Sequence, residues 1–278
     1  MSDMFCHLNY GFIGTGSICQ ACLQGFLHTA KIPREKIFLS SRTPIRLKKI
    51  ADRFSVQPVS GNEELITKSQ IVFLCIKPKD LVPVVEPLAS QFNRAHTIVS
   101  FLAGVPLNVL QKLLPNVKRL VRMVPNTPAS VGEGLFAYSL VRDDPSLESF
   151  VQELFSPLGV VLKMKETQLS AFTVSASSGV AFVLELMQYW NEWLENHHFS
   201  VDLARQISLQ TFLGAALWAK AFPNLSLMQM QSRVASKKGM TMEGLEIFRK
   251  AQLDSILHYG FEKAALREKK LFDLKEGK

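Results

Sequence analysis

The 278-residue chain has little cysteine and no long uninterrupted apolar run. Its four cysteines all lie in the first third of the sequence, which is not the disulfide framework of a secreted protein. The most apolar stretch, roughly 171–186, is interrupted by Ser, Thr and Glu185 and falls short of the ~20 apolar residues that span a bilayer. The first residues lack the basic start and apolar run of an export signal. We therefore expect a cytoplasmic protein with no membrane partner.

Acidic residues are too few to balance the basic ones: 24 Asp and Glu stand against 32 Lys and Arg, a net charge of +8. The excess favours anionic partners. The basic residues are scattered, without an arginine-rich stripe, so we expect no nucleic acid. Cys19 and Cys22 have metal-ligand spacing, but no second pair completes a zinc site, and His197 and His198 are adjacent and point apart on a helix. We expect no metal site and interpret both cysteines as core residues.

Up to about residue 165, short β-type runs alternate with segments of helical length, and only helices follow. This pattern predicts an α/β fold, with a Rossmann-like doubly wound sheet in residues 1–165 and an all-α domain in residues 166–278. The predicted strands are 8–13, 36–40, 56–59, 70–76, 97–101, 118–124, 134–140 and 160–164. The predicted C-terminal helices are 167–195, 200–220, 225–233 and 241–270. Helix 167–195 is apolar nearly all round, so a partner chain is expected to bury part of it.

The glycines of residues 11–19, GFIGTGSIC, follow the first predicted strand and open the first helix, which is the context of a dinucleotide fingerprint. Gly14 allows the tight turn, and Gly16 lets the backbone approach a pyrophosphate at the positive end of the helix. The second strand ends in Ser40-Ser41-Arg42-Thr43, not in the carboxylate that binds the ribose of NAD. Hydroxyl and guanidinium groups suit a 2′-phosphate, which favours NADPH, with NADH as the alternative. An exposed loop cation without a ligand is the alternative role for Arg42.

Seven segments carry a resemblance to a known family. They are GFIGTGSI (11–18), IVFLCIKPKDL (71–81), FLAG (101–104), VRMVPNTPASVGEG (121–134), LFSPLG (154–159), ARQISLQTFLGAA (204–216) and VASKKGMTMEGL (234–245). Together they resemble the pyrroline-5-carboxylate reductases, which make proline by reducing a cyclic imine with NAD(P)H. The resemblance implies NADPH-dependent reduction of 1-pyrroline-5-carboxylate to L-proline, and a homodimer built by the helical domain.

The resemblance also assigns the cofactor contacts. It places Lys77 at the nicotinamide half and Asn62 near the adenosine, where a surface lysine and an ordinary helix N-cap are the alternatives. Asn126 lies in a loop stiffened by two prolines, for which a purely structural turn is the alternative. The expected cofactor-binding residues are Gly14, Thr15, Gly16, Ser17, Ile18, Ser41, Arg42, Asn62, Cys75, Ile76, Lys77, Pro78, Ala103, Gly104 and Asn126.

The substrate-side loop, residues 236–241, reads SKKGMT where the family type reads SPGGTT. The resemblance implies that the Thr241 hydroxyl lies near the imine nitrogen and that Ser236 and the Gly239 amide bind the substrate carboxylate. A helix N-cap is the alternative role for Thr241. Lys237 and Lys238 depart from the pattern, as does the segment 176–182, which reads ASSGVAF in place of SGSGPAY. Glu166 matches a family glutamate, although a carboxylate at a helix start also serves the dipole alone.

Both departures lie on the substrate side, so a second function stays open. It is an NADP(H)-binding protein with a different imino-acid substrate or with a non-catalytic regulatory role. A β-hydroxyacid dehydrogenase is disfavoured, because it requires a catalytic lysine on the long helix after the sheet and 167–195 contains none.

Overall fold

The computed structural model describes residues 4–236 and 238–273, so that Lys237 and the residues after 273 lie outside it. The described residues form two compact units. One holds the residues up to Ser178 together with those from Ala264 onward, and the other is Gly179–Lys263. The domain boundary between residues 165 and 166 stays a prediction.

Eight strands lie in the first unit, and each strand end lies within two residues of the end predicted for it. They are β1 Tyr10–Ile13, β2 Ile37–Ser40, β3 Gln57–Pro58, β4 Ile71–Leu74, β5 Thr97–Ser100, β6 Arg119–Val124, β7 Gly134–Leu140 and β8 Gly159–Lys163. The α-helices before residue 179 are α1 Met4–His7, α2 Ser17–His28, α3 Pro44–Phe54, α4 Asn62–Lys68, α5 Leu81–Val85, α6 Leu107–Leu113, α7 Pro145–Phe155 and α8 Leu169–Phe172. Strands and helices alternate, as the sequence pattern predicted.

The strands form one sheet in the order β3-β2-β1-β4-β5-β6-β7-β8. Strands β1 to β6 are parallel, and the chain reverses its direction of travel across the sheet between β1 and β4. Open parallel sheets bind ligands at such a switch point, outside the carboxyl ends of the strands. The fold class predicted from the sequence is therefore confirmed, and it places the carboxyl ends of β1, β2 and β4 around one crevice.

Strand β7 breaks the parallel pattern, because it pairs with β6 in the antiparallel sense. The short connection 125–133 joins the two strands, whereas a parallel neighbour requires a crossover of a dozen or more residues. Strand β8 is parallel to β7 and so also runs against the first six strands. Strands β7 and β8 therefore depart from the parallel sheet that the alternation of strands and helices predicts.

Apolar side chains cover both faces of the sheet. Phe12 and Phe73 stack at 4.3 Å between ring centroids on one face, in the cluster that also holds Phe26 and Phe155. Val72 and Leu74, their neighbours in sequence, belong to the cluster on the other face. Successive residues of a strand point to opposite faces, so only a strand covered on both sides buries all of them.

The second unit consists of helices. A π-helical segment, Thr173–Ser178, comes before this unit. The helices that follow are α9 Gly179–Asn196, α10 Val201–Ala221, α11 Leu227–Val234, α12 Met240–Lys250 and α13 Leu253–Asp273, whose residues from Ala264 onward belong to the first unit. The single helix predicted over 241–270 is wrong: the chain breaks at Gln252, whose φ is 54°. A non-glycine residue in the left-handed region cannot continue a right-handed helix.

Residues 166–196 form a helical stretch that is long and apolar enough, by length and composition, to cross a membrane, and it is the one such stretch in the part of the chain that the structure describes. The sequence expectation that this region is too short was wrong. Only 28% of its most apolar window is buried inside the chain. Leu184, Tyr189 and Trp193 are among its exposed apolar side chains, at 57%, 52% and 62% exposure. The chain alone therefore leaves much of this helix uncovered.

Candidate functional site

The glycine-rich turn lies between the ends of three strands. Gly14 follows β1 with φ of 100°, and its N–H donates to the carbonyl of Ser40 over 3.0 Å. A Cβ at this position would lie 2.7 Å from the carbonyl oxygen of Cys75. The left-handed conformation favours glycine, and the backbone of Cys75, which follows β4, leaves no room for a Cβ. The fold itself therefore requires glycine at position 14.

Gly16 differs from Gly14, because the fold does not require it. Its φ of −69° suits any residue, and the nearest atom to an added Cβ, the Cys75 carbonyl oxygen, lies 3.7 Å away. Gly16 caps α2 without a side-chain hydrogen bond, so the first N–H groups of this helix have no capping acceptor. A pyrophosphate binds where a residue without a side chain lets it approach the backbone and where N–H groups at a helix start can donate to it. The site therefore fits a dinucleotide.

A cleft of about 590 Å³ opens over this turn. It is lined by nine residues of the predicted cofactor set, namely Gly14, Thr15, Gly16, Ser41, Arg42, Asn62, Cys75, Ile76 and Lys77. The other six, Ser17, Ile18, Pro78, Ala103, Gly104 and Asn126, do not line it. Its volume lies in the range of small-molecule sites. The assignment of these residues to a cofactor stays a prediction.

The end of the cleft near β2 is rich in cationic groups. The Arg42 side chain is 88% exposed, with Nη1 at 3.9 Å from Asp80 Oδ1. Thr15 donates from its hydroxyl to Ser41 Oγ over 3.3 Å, and both hydroxyls belong to the cleft lining that also holds Arg42. Lys77, which follows β4, is an exposed cation of the same lining. This end of the cleft suits a phosphate group.

Arg46 is a cleft residue that the sequence analysis missed. Its Nη2 donates to the carbonyl of Thr15 over 2.9 Å and so ties α3 to the glycine turn. Pro44 opens α3 and places Arg46 in the first turn of that helix. The sequence does carry a signal for Arg46. It is a cation two residues after the proline that opens α3, and it lies four residues after Arg42.

Asn62 does not cap its helix. Gly61 is the N-cap of α4, and the Asn62 side chain accepts a 2.6 Å hydrogen bond from Ser40 Oγ. The alternative of an ordinary N-cap is therefore wrong. The bond fixes the end of β2 against the start of α4, on the floor of the cleft.

Three thiols lie beneath the turn. Cys19 and Cys22 belong to the core cluster and are fully buried. Burial raises the pKa of the Cys22 and Cys75 thiols well above the ordinary value, so neutral thiols are favoured. The structure confirms Cys19 and Cys22 as core residues, and within residues 4–236 and 238–273 no group of three or more His, Cys, Asp or Glu side chains is arranged to hold a metal.

The 121–134 segment braces the sheet. Arg122, 7% exposed, donates from Nη1 to Glu166 Oε1 over 2.9 Å, and the same oxygen accepts the Leu107 N–H over 2.7 Å. Glu166 therefore does more than face a helix dipole. The Asn126 amide donates to the Ala176 carbonyl over 3.2 Å and accepts from the Leu135 N–H over 2.8 Å. Both ends of that amide are engaged within the protein.

The predicted substrate loop lies in the second unit. Gly239 is the N-cap of α12, and its N–H donates to the carbonyl of Ser236 over 3.0 Å. Lys238 adopts φ of 60° between them. Thr241 is the second residue of α12, so the alternative of an N-cap role for Thr241 is wrong. Since the Gly239 amide is used in the turn, the N–H groups of Met240, Thr241 and Met242, which have no acceptor within the helix, are the donors open to an anion.

Family models match both parts of the chain. The model described as pyrroline-5-carboxylate reductase dimerisation matches residues 166–271, and the model described as NADP oxidoreductase, coenzyme F420-dependent, matches residues 9–104. Pyrroline-5-carboxylate reductase 1 of Bacillus subtilis is 27% identical over 278 residues, which cover 98% of this chain and 92% of the Bacillus protein. The chain is thus similar to the pyrroline-5-carboxylate reductases over nearly its whole length. A further relative, the pyrroline-5-carboxylate reductase of Haemophilus influenzae, is 29% identical over 87% of this chain and 89% of its own.

Solved structures of pyrroline-5-carboxylate reductases share the fold. The enzyme of Plasmodium falciparum, solved with NADP bound, gives a TM-score of 0.85 at 22% identity over 96% of this chain and 98% of its own. The enzyme of Streptococcus pyogenes gives 0.84 at 23% identity over 95% and 98%. The likeness extends through both units, which agrees with a resemblance that runs nearly end to end in the sequence.

Proposed function

We propose that the chain catalyses the NADPH-dependent reduction of 1-pyrroline-5-carboxylate to L-proline. The observation that carries the proposal is the Gly16 turn, where the fold leaves room for a Cβ and glycine keeps that room open to the cleft. Curated relatives named pyrroline-5-carboxylate reductase cover nearly the whole chain and give the substrate class. Together they support an oxidoreductase acting on a C=N bond.

The first unit supplies the cofactor contacts in this proposal. The N–H groups at the start of α2 bind the pyrophosphate, and the Gly16 backbone lets it approach. The Ser41 hydroxyl and the Arg42 guanidinium bind a 2′-phosphate, which selects NADPH over NADH. When bound, the nicotinamide supplies the hydride that reduces the imine carbon.

The second unit supplies the substrate contacts. The N–H groups at the start of α12, with Ser236 beside them, bind the substrate carboxylate at the positive end of the helix. The Thr241 hydroxyl, which has no hydrogen-bond partner among the residues that the structure describes, donates to the imine nitrogen and orients it for proton uptake. Reduction of C=N needs no strong general base, so the absence of a histidine from this loop, residues 234–245, is consistent with the reaction.

The active form is proposed to be a cytoplasmic homodimer. The dimerisation model covers residues 166–271, and the apolar helix in this range is largely exposed in the single chain. Burial of such a face by a second copy removes the apolar surface from water. The four cysteines are free thiols, which fits a reducing compartment.

The departures in the substrate loop favour one alternative, an NADP(H)-binding protein that accepts a different imino acid or has a regulatory role. Lys238 holds a left-handed conformation that glycine adopts without cost, so the loop keeps the backbone shape expected of glycine while carrying a cation. Met240, at 93% exposure, replaces a hydroxyl residue of the family type.

A direct assay separates the two functions. Purified protein is mixed with NADPH and 1-pyrroline-5-carboxylate, and nicotinamide absorbance is followed while proline is identified by mass spectrometry. Loss of absorbance with proline formation supports the reductase. NADPH binding without turnover of this or a related cyclic imine overturns it and leaves the alternative.

A further inference from the structure

The loop between β5 and α6, residues 101–106, lies at the edge of the sheet where the cleft opens. The Phe101 N–H donates to the carbonyl of Leu74 over 3.0 Å, so the loop begins beside the end of β4. The residues that follow β4 line the cleft, and β5 lies on the side of β4 away from β2. With a 2′-phosphate at the end of β2, a dinucleotide laid across the switch point extends its other half toward β5.

Helix α13 lies directly against this loop. Gly104 adopts φ of 73°, and a Cβ there would lie 2.9 Å from the carbonyl oxygen of Glu268. The loop therefore combines a left-handed residue with the close approach of a helix backbone. The left-handed conformation favours glycine, and the close approach of the α13 backbone leaves no room for a Cβ.

The Glu268 carboxylate makes the polar contacts of this junction. Glu268 is 5% exposed, its Oε1 accepts the Gly104 N–H over 3.1 Å, and its Oε2 accepts the hydroxyl of Ser170. A buried carboxylate is costly unless both oxygens are hydrogen bonded, and here both are. One of the two bonds is made to the backbone of the loop, 164 residues away in sequence.

A second carboxylate holds the other end of the same loop. Glu166 accepts the N–H of Leu107, the first residue of α6. Ser170, the partner of Glu268, lies four residues after Glu166. Glu268 thus holds the loop at Gly104, and Glu166 holds it at Leu107. Glu166 and Ser170, the second partner of Glu268, lie on the same short segment, residues 166–170.

We infer that Glu268 is a positioning residue for the nicotinamide end of the cofactor, because it fixes the Ala103–Gly104 backbone, which lies outside the cleft lining and follows β5, the strand next to β4. The inference rests on the proposed function for its ligand. The hydrogen bond from the Gly104 N–H to Glu268 does not depend on any ligand. Loss of one hydrogen bond to a charged group weakens an interaction by about tenfold.

The test compares Glu268→Ala, Glu268→Gln and the matched control Glu262→Ala, an exposed glutamate on the same helix. Hydrogen exchange of peptides that span 101–107 is measured without ligand, NADPH affinity by fluorescence titration, and KM and kcat with 1-pyrroline-5-carboxylate. We expect faster exchange and about tenfold weaker NADPH binding for Glu268→Ala, mainly as a raised KM for NADPH. Glu268→Gln keeps an acceptor for the Gly104 N–H and should stay within about threefold of the unmodified protein.

Unchanged exchange in Glu268→Ala, or an NADPH affinity equal to that of Glu262→Ala, overturns the inference. If Glu268→Ala does not fold, Glu268→Asp takes its place, since its carboxylate is one methylene shorter and no longer reaches both partners; the same readings decide. If the unmodified protein binds NADPH but does not reduce the imine, the proposed reaction fails while the exchange and affinity results still decide the role of Glu268.

Discussion

The Arg42 guanidinium and the Asp80 carboxylate face each other at the cleft, with Nη1 and Oδ1 3.9 Å apart. The Arg42 side chain is 88% exposed, so water screens this pair and leaves it weak. A dianionic 2′-phosphate competes well for such a guanidinium, because its oxygens accept charge-assisted hydrogen bonds. The carboxylate is therefore a neighbour that the phosphate has to displace.

Substitution of Arg42 tests which cofactor the cleft selects. We expect Arg42→Ala to weaken NADPH binding by about tenfold and NADH binding by less than about twofold, because only NADPH carries the 2′-phosphate. Fluorescence titration with each cofactor measures both constants. An equal loss for the two cofactors would contradict the assignment.

Asp80→Asn is the complementary change. Removal of the carboxylate leaves Arg42 unpaired and removes a negative charge that repels the phosphate, so we expect NADPH to bind about two- to threefold tighter. NADH affinity should stay constant in the same titration. Weaker NADPH binding in this variant would show that Asp80 supports the site rather than competing for Arg42.

The two glycines of the turn give a paired prediction. Gly16→Ala should fold with nearly unchanged stability, since its Cβ meets only the Cys75 carbonyl oxygen at 3.7 Å, yet it should bind NADPH at least about tenfold more weakly. Gly14→Ala should instead lose stability, because its Cβ would lie 2.7 Å from that oxygen at φ of 100°. Thermal melts and NADPH titrations on both variants check the pair. Strong NADPH binding by Gly16→Ala would argue against a pyrophosphate at this turn.

The sequence predicts the fold well because its signals are local. A short apolar run predicts a strand buried on both faces, and a glycine-rich turn between a strand and a helix predicts a nucleotide site. The left-handed break at Gln252 carries no such signal, since no glycine or proline marks it. The direction of β7 depends on the length of its connection, residues 125–133, which is too short for a crossover to a parallel neighbour.

The candidate site is harder to predict from the sequence, because the residues that hold its loops in place are distant from those loops in sequence. The bond from Arg46 to Thr15 spans 31 positions, and the bond from Gly104 to Glu268 spans 164. Each partner is an ordinary charged residue on an ordinary helix, and only packing brings it to the cleft. Asn126 is an opposite case, since the motif singled it out for the cofactor and the fold uses both ends of its amide.

The ion pair between Arg122 and Glu166 predicts a loss of stability. Glu166→Ala leaves a guanidinium that is 7% exposed without its carboxylate, which typically costs about 3 kcal/mol of unfolding free energy. Glu166→Gln keeps an acceptor and should cost less. Urea unfolding measures both, and Asp143→Ala, which breaks an exposed pair with Lys163, is the control expected to change little. Equal losses for Glu166→Ala and Asp143→Ala would contradict a structural role for the buried pair.

Thiol reactivity follows from the raised pKa values of Cys22 and Cys75. A raised pKa lowers the thiolate fraction at a given pH, and the thiolate is the nucleophile. Iodoacetamide at pH 8 (about half a unit below an ordinary cysteine pKa) should therefore label the exposed Cys6 first and the other two slowly. Mass spectrometry counts the labels, and Cys6→Ser should lose the fast one. Fast labelling of Cys75 in the folded protein would contradict the effect of burial.

The Thr241 hydroxyl separates binding of the cofactor from the chemistry of the imine. Thr241 lies at the start of α12, where its hydroxyl has no partner among the residues placed by the structure, so its removal costs no internal hydrogen bond. We expect Thr241→Ala to lower kcat by about tenfold or more while NADPH affinity stays constant, because an orienting bond to the imine nitrogen is lost and no cofactor contact is. Thr241→Ser keeps the hydroxyl and should recover most of the rate. Steady-state kinetics with 1-pyrroline-5-carboxylate and NADPH titrations measure the two effects. An unchanged kcat in Thr241→Ala would show that the hydroxyl has no part in the reaction. Weakened NADPH binding in Thr241→Ala would assign the hydroxyl to the cofactor instead.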